Sequence, residues 1–339
     1  NARADCAMRV AEVKQAEMAK TGEAPVYYRP EREAQVLARV MERNEGPLPK
    51  EEVARIFREI MSGCLALERP LAVGYLGPIG TFTEAAALKH FGHAVHTRPL
   101  TTISEVFRDV DAGNLDYGVV PIENSTEGAV THTFDQFATT SLKICAEIYL
   151  PVSLTLLSKV ERDRVRVIYS KQEVFGQCRT WLQTHLPDVE LSPVESTTKA
   201  VQLALETAGS AAIASAMASD MYGIEVLANG IQDMQGNTTR FLVIGQNFSA
   251  STGDDKTSVV FGVKHAVGAL HEALSVFKAD EINLSKIESR PSRNKAWEYY
   301  FFVDVDGHAD EVPVAKALEE LQGHCTLMTV LGSYPKAQA

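Results

Sequence analysis

The apolar rhythm of this 339-residue chain changes twice, and each change marks a different kind of fold. Over residues 1–68 apolar positions recur at helical spacing. This predicts helices over 3–18, 31–43 and 50–67, separated by a Gly/Pro-bearing loop at 21–30 and a turn at 44–48, and stopped before Pro70. Over 71–245 short apolar runs alternate with amphipathic helices. The pairs are 71–76 with 83–91, 117–121 with 128–137, 165–169 with 174–185, and 211–214 with 216–222. Such alternation predicts parallel-rich α/β sheets, with enough chain for two lobes and a ligand cleft between them. Residues 246–256 are polar and rich in Gly and Ser, as a linker is. The order then reads strand 258–263, helix 269–279, strands 284–289 and 299–305, helix 313–321 and strand 327–332, the ferredoxin-like βαββαβ plan. The expected domains are 1–69, 70–246 and 257–334, making a multidomain chain of all-α, two-lobed α/β and ferredoxin-like parts.

Composition narrows the partners. The net charge of −11 argues against nucleic acid, which needs a basic surface. It leaves room for a small anion held by a few local cations. No apolar run reaches the roughly 18 residues that span a bilayer, and no signal-peptide pattern is present. Asn1 lies inside a helical pattern, so a segment before it, a targeting segment included, is compatible with the sequence. The five cysteines, Cys6, Cys64, Cys145, Cys178 and Cys325, are scattered and form no CxxC pair. Reduced thiols in a cytoplasmic protein without metal or cofactor are expected.

The first three helices carry charges where a core stripe should be apolar. Arg3, Ala7, Val10 and Lys14 share one helix face, Glu33, Leu37 and Val40 another, and Val53, Phe57, Ile60, Cys64, Leu67 and Glu68 a third. One charge at the end of a stripe ordinarily reaches to water. Three helices doing so together point to a polar pocket for a dianion, because buried charges need partners. Tyr28-Arg29-Pro30-Glu31-Arg32-Glu33-Ala34-Gln35-Val36-Leu37 and the helices around it resemble the all-helical chorismate mutases. The resemblance implies that Arg3, Lys14, Arg29, Glu33, Cys64 and Glu68 contact chorismate, Glu33 through the substrate hydroxyl; for the rearrangement itself Lys14 and a protonated Glu68 can donate to the ether oxygen. Arg29 stands where many relatives have Asp, and Glu68 where some have Gln. The family also draws an arginine from the first helix of a partner chain.

In the middle region, strand-end loops are rich in Ser, Thr, Asn and Gln. Gly77-Pro78-Ile79-Gly80-Thr81-Phe82-Thr83 opens a helix, where backbone amides can bind a carboxylate. It fits neither GxGxxG nor the P-loop pattern. Pro121-Ile122-Glu123-Asn124-Ser125-Thr126-Glu127-Gly128 ends a strand, where open α/β sheets bind ligands. Ser125 or Thr126 would equally serve there as a helix cap. Gln177-Cys178, Glu195-Ser196-Thr197 and Thr238-Thr239-Arg240-Phe241 follow. In this order and spacing the motifs resemble prephenate dehydratase. That implies Thr239 as the essential residue and Asn124, Ser125, Thr126, Ser170, Gln177, Thr197 and Arg240 as substrate contacts, with Arg240 on a carboxylate. Ser170-Lys171-Gln172-Glu173 departs from the Ser-His-Pro-Gln common in relatives.

The last region reads similarly. Gly268-Ala269-Leu270 opens a helix, where a small residue lets a carboxylate approach backbone amides. With Glu288-Ser289-Arg290-Pro291 it resembles the phenylalanine-binding ACT domain. That implies feedback inhibition by L-phenylalanine at Gly268, Ala269, Leu270, Asn283, Leu284, Glu288, Ser289 and Arg290, between subunits of a homodimer or larger oligomer. Two readings stand at this stage. A non-catalytic amino-acid-binding protein predicts no turnover and no need for Thr239; a two-reaction enzyme predicts phenylpyruvate from chorismate by way of prephenate.

Overall fold

The computed structural model describes residues 2–22, 27–292 and 299–337, so part of the loop expected at 21–30 lies outside them. Three helices come first: α1 Ala2–Thr21, α2 Pro30–Glu42 and α3 Lys50–Glu68. Pro30 sits in the first turn of α2, where a missing N–H costs nothing. α1 packs on α3, and among its described side chains Ala7 and Ala11 are buried while Met8, Val10, Val13 and Met18 are exposed.

The first lobe contains β1 Ala72–Leu76, α4 Phe82–Phe91, β2 His96–Leu100, α5 Ile103–Asp111, β3 Tyr117–Asn124, β4 Gly128–Ala129, α6 Thr131–Phe137 and β5 Lys143–Pro151. The second contains β6 Thr155–Ser158, β7 Val167–Ser170, α7 Gln172–Gln177, α8 Arg179–His185, β8 Glu190–Pro193, α9 Thr197–Glu206, β9 Ser210–Ala214, α10 Met217–Tyr222 and β10 Glu225–Ala228. The chain then returns to the first lobe as β11 Thr238–Gly245. Strand orders are β2-β1-β3-β11-β5 and β10-β6-β9-β7-β8.

Neither sheet is parallel-rich as expected from the alternation. β11 runs antiparallel to both β3 and β5, and β6 runs antiparallel to β9 and β10. In the first sheet the reason is that β11 returns from the second lobe and runs between β3 and β5, opposite in direction to both. The helix expected from Gly128 starts at Thr131, because Gly128–Ala129 turns back to pair with Glu123 and Asn124. The helix expected over 174–185 is two helices meeting at Cys178.

The last unit is β12 Asp255–Val263, α11 Ala269–Ala279, β13 Leu284–Pro291, β14 Tyr299–Asp306, α12 Val312–His324 and β15 Cys325–Pro335, in sheet order β13-β14-β12-β15. The βαββαβ order is as expected. One sheet face holds α11 and α12 over Val259, Phe261, Val303 and Val305. The alternate residues Val260 and Phe302, with Leu331 and Tyr334, join the core of the first lobe beside Ile122, Phe134, Ile144 and Leu242. β15 comes so close to β5 that a Cβ on Gly332 would lie 2.1 Å from the Ile144 carbonyl oxygen; only glycine lets the two backbones meet there.

The helical segment is docked as firmly. Tyr28, just before α2, is 5% exposed and packs against Phe91 and Tyr117 in the core of the first lobe. Tyr28 Oη and His90 Nε2 share a hydrogen bond of 2.9 Å. No helix among the described residues is long and apolar enough to cross a membrane.

Candidate active sites

The lobe crossings put the end of β3 beside the start of β11, with Thr239 the registered partner of Asn124. The Asn124 amide donates to Thr239 Oγ1 at 2.8 Å and to Asn237 Oδ1 at 2.9 Å. Its own oxygen accepts from the backbone N–H groups of Thr126 and Glu127. That turn orients the amide so that its NH₂ faces Thr239. Ser125 Oγ accepts from Thr238 N at 3.0 Å. From the second lobe, Gln177 donates to Glu127 at 2.9 Å and accepts from Asn237 at 3.4 Å. Asn124, Ser125, Thr126, Gln177 and Thr239 are thus brought together. Asn237 and Glu127 complete the cluster. Glu127 lies within one quoted motif and Asn237 directly precedes another, but neither was singled out.

The Thr239 hydroxyl accepts a hydrogen bond, which leaves its proton free to donate. Among the described residues it has no acceptor for that proton. Beneath the cluster, burial pushes the Cys178 thiol up to about 12, so it stays protonated and unreactive at neutral pH. Thr197 is half-buried in the first turn of α9, next to the Ser196 cap.

In the glycine-rich loop at 77–83 two amides already have acceptors: Gly77 N–H donates to the Leu100 carbonyl at 2.8 Å and Gly80 N–H at 2.6 Å to the buried Glu84 carboxylate, which also accepts from Tyr75 Oη at 2.9 Å. The loop also ties the lobes: Thr198 donates to the Ile79 carbonyl and Ser215 to that of Gly80.

Two expected substrate contacts face elsewhere. Ser170 is fully buried and its hydroxyl donates to the Ile213 carbonyl at 2.7 Å. Arg240 follows Thr239 on a strand and so points to the opposite face. There it is 5% exposed. It donates to Glu147 at 2.9 Å, Asp304 at 2.5 Å and Tyr334 at 3.1 Å. Lys256 donates to the same Glu147 at 2.8 Å, and Ser258 to Asp304 at 2.5 Å. Two cations and two carboxylates balance inside the interface between the first lobe and the last sheet. At Ser170's loop, Lys171 and Glu173 form a surface pair at 3.7 Å.

The helical segment holds a cavity of about 800 Å³, lined by Arg3, Lys14, Arg29, Glu33, Cys64 and Glu68. Every residue expected to contact the first substrate is therefore in one place. Lys14 donates to Glu68 at 2.9 Å, and Arg58 to Glu33 at 3.2 Å. Burial raises the Glu33 carboxyl above the usual carboxylate range, while Arg58 pulls it back. Tyr27, whose ring lies 5.0 Å from the Lys14 ammonium, and Arg32 also line the cavity. They were missed because neither falls on an apolar stripe. Among the described residues no group of three or more His, Cys, Asp or Glu is placed to hold a metal ion.

In the last unit, Gly268 caps α11 with a left-handed φ of 81°. β12 and β13 both pair antiparallel with β14. The C-terminal end of β13, with Glu288, Ser289 and Arg290, therefore lies at the same end of the sheet as Gly268, Ala269 and Leu270. Asn283 and Leu284 lie at the other end, where Asn283 donates to Asp306 at 3.1 Å.

Three family models match the chain in succession. The chorismate mutase type II model matches residues 1–69, the prephenate dehydratase model 73–249 and the ACT domain model 257–323. A bifunctional chorismate mutase/prephenate dehydratase from Stutzerimonas stutzeri is 50% identical over 99% of this chain and 92% of its own length. One from Aquifex aeolicus is 46% identical over 99% and 93%. Among solved structures, the prephenate dehydratase from Arthrobacter aurescens in complex with L-Phe is 37% identical. It covers 78% of this chain and 90% of its own, with a TM-score of 0.73.

Proposed function

The chain belongs to the bifunctional chorismate mutase/prephenate dehydratase family, and we propose that the helical cavity and the Asn124–Thr239 cluster carry the two successive reactions of that name on the way to L-phenylalanine. The helical cavity rearranges chorismate to prephenate. This step is unimolecular and needs no nucleophile; holding the compact conformer and stabilising negative charge on the ether oxygen suffice. Arg3 and Lys14 clamp the carboxylates, Glu33 binds the substrate hydroxyl, Arg29 and Cys64 border the substrate, and Lys14 donates to the ether oxygen with Glu68 beside it.

The cleft between the lobes then takes prephenate. The ring carboxylate leaves as CO₂, its bonding electrons pass into the ring, and the ring hydroxyl departs from the far carbon. That hydroxyl needs a proton, so the net products are phenylpyruvate, CO₂ and water. Thr239 is the donor toward the leaving hydroxyl, with Asn124, Ser125, Thr126, Gln177 and Thr197 around the substrate. A threonine is too weak an acid to ionise usefully, so its role is that of a positioned hydrogen-bond donor. The observation that carries this reading is the Asn124–Thr239 bond, which occupies the acceptor side of the hydroxyl and leaves the donor side for substrate.

L-Phenylalanine acts at the C-terminal unit as feedback inhibitor. Gly268 to Leu270 at one end of the sheet and Asn283 and Leu284 at the other suit a site closed by a second copy of the chain, so a homodimer or larger assembly, working in the cytoplasm, belongs to the reading. The experiment supplies chorismate and prephenate separately, with and without L-phenylalanine, and follows phenylpyruvate. Turnover of prephenate without turnover of chorismate would confine the reading to the second cleft, and turnover of neither would end it.

A further inference from the structure

The strands that carry Asn124 and Thr239 have a second face, which the proposed reaction does not use. Next to the Asn124–Thr239 pair, Glu123 of β3 is the registered partner of Arg240 of β11. Successive strand residues face opposite ways. Asn124 and Thr239 look into the cleft, and Glu123 and Arg240 look at the C-terminal sheet. A matching pair meets them there, because Lys286 of β13 is the registered partner of Asp304 of β14. The Lys286 ammonium lies 2.6 Å from the Glu123 carboxylate, and Arg240 lies 2.5 Å from Asp304. Glu123, Arg240, Asp304 and Lys286 thus form a ring in which the charge alternates at every corner.

The corners are not equally held. The Arg240–Asp304 side is buried and braced by Glu147, Lys256, Ser258 and Tyr334. The Lys286–Glu123 side is nearer the surface, with the two side chains 13% and 39% exposed. Lys286 sits on the edge strand, beside a register shift between Leu284 and Lys286. It shares a strand face with Glu288 and Arg290, two of the residues assigned to the effector.

We propose that this ring positions Asn124 and Thr239, and that Lys286 and Glu123 are the contact through which the C-terminal unit alters the dehydratase rate. The proposal rests on the reading of that unit as the L-phenylalanine site. A shift of β13 moves the Lys286 corner while the braced corner stays. The strain falls on Glu123 and on its neighbour Asn124, whose amide aims the Thr239 hydroxyl. Misaligning that donor lowers kcat more than it raises KM, because the hydroxyl matters most where charge develops. Glu123 and Lys286 are positioning residues; neither touches substrate.

The test uses the full chain with Lys286→Met, Glu123→Gln and the double variant that carries both changes. Dehydration of prephenate is measured with and without L-phenylalanine, its binding by calorimetry, and folding by thermal melting. The single variants are expected to melt like the parent, to bind L-phenylalanine, and to need about tenfold more of it for half-inhibition, within the usual range of coupling between sites. They also lose kcat at constant KM, and the double variant loses no more than the worse single, because both changes remove one contact. Parent-like inhibition in both single variants, or losses that add in the double variant, overturns the proposal. If the parent chain binds no L-phenylalanine, the effector reading fails by itself. The ring is then judged on kcat alone: a loss in the singles that does not add in the double sustains it, and unchanged kcat in both singles, or losses that add, rejects it.

Discussion

Asn124 donates one amide hydrogen to Thr239 and the other to Asn237, so a single side chain orients the hydroxyl and joins β3 to the loop before β11. Thr239→Ala should lower dehydratase kcat by about 10²–10⁴, with a smaller effect on KM. Thr239→Ser, which keeps the hydroxyl, should retain most of the rate. Near-normal turnover by Thr239→Ala would show that another group serves the leaving hydroxyl.

Asn124→Asp tests direction rather than presence. A carboxylate in that place accepts from Thr239 instead of donating to it, and so turns the hydroxyl proton away from the substrate. The expected result is a loss in kcat close to that of Thr239→Ala, with the fold retained. Wild-type kcat in this variant would separate the Asn124–Thr239 bond from the chemistry.

Arg240→Met should cost stability before it costs chemistry. It leaves Asp304 without its guanidinium and Glu147 with Lys256 as its remaining cation, and breaking a buried ion pair on one side costs about 3–5 kcal/mol. Denaturant melts of the full chain read this directly. A melt unchanged within about 1 kcal/mol would mean that water reaches the site.

His90 gives a pH dependence of stability. Burial, with Arg58 adding to it, lowers its pKa from 6.5 to about 3. Between those values the unfolded chain takes up a proton that the folded chain refuses. The contribution is present above about pH 6.5 and is lost as pH falls toward about 3. The slope is at most about 1.4 kcal/mol per pH unit, reduced by solvent reaching the ring. His90→Gln, which keeps a partner for Tyr28 and cannot titrate, should flatten the acid limb. An identical limb would remove His90 from the account.

Much of this was legible in the sequence, for identifiable reasons. Arg3, Lys14, Glu33 and Glu68 broke apolar stripes at helical spacing, and the cavity they line is where those stripes meet. Asn124, Gln177 and Thr239 sat in polar loops at strand ends, which the fold brings together. Arg240 was misread although the signal was present: two adjacent residues of one strand cannot share a face, and Thr239 had already taken the cleft. Ser170 was misread because a hydroxyl at a strand end serves a backbone carbonyl as readily as a ligand. The mixed sheet was not legible, because local periodicity identifies a strand but says nothing about its partners. The pairing of Lys286 with Glu123 was hidden for the same reason: the two lie far apart in sequence and meet only when two sheets stack.

Tyr28 has a consequence for how such a chain can be divided. It precedes the second helix, yet its ring belongs to the core beneath the dehydratase cleft, against Phe91 and Tyr117. A dehydratase cut free of residues 1–69 would uncover that aromatic patch and forfeit roughly 1.5–3 kcal/mol from the tyrosine alone. The two catalysts are therefore not beads on a string. Separating them into independent proteins would require resurfacing Phe91 and Tyr117 as well as cutting the chain.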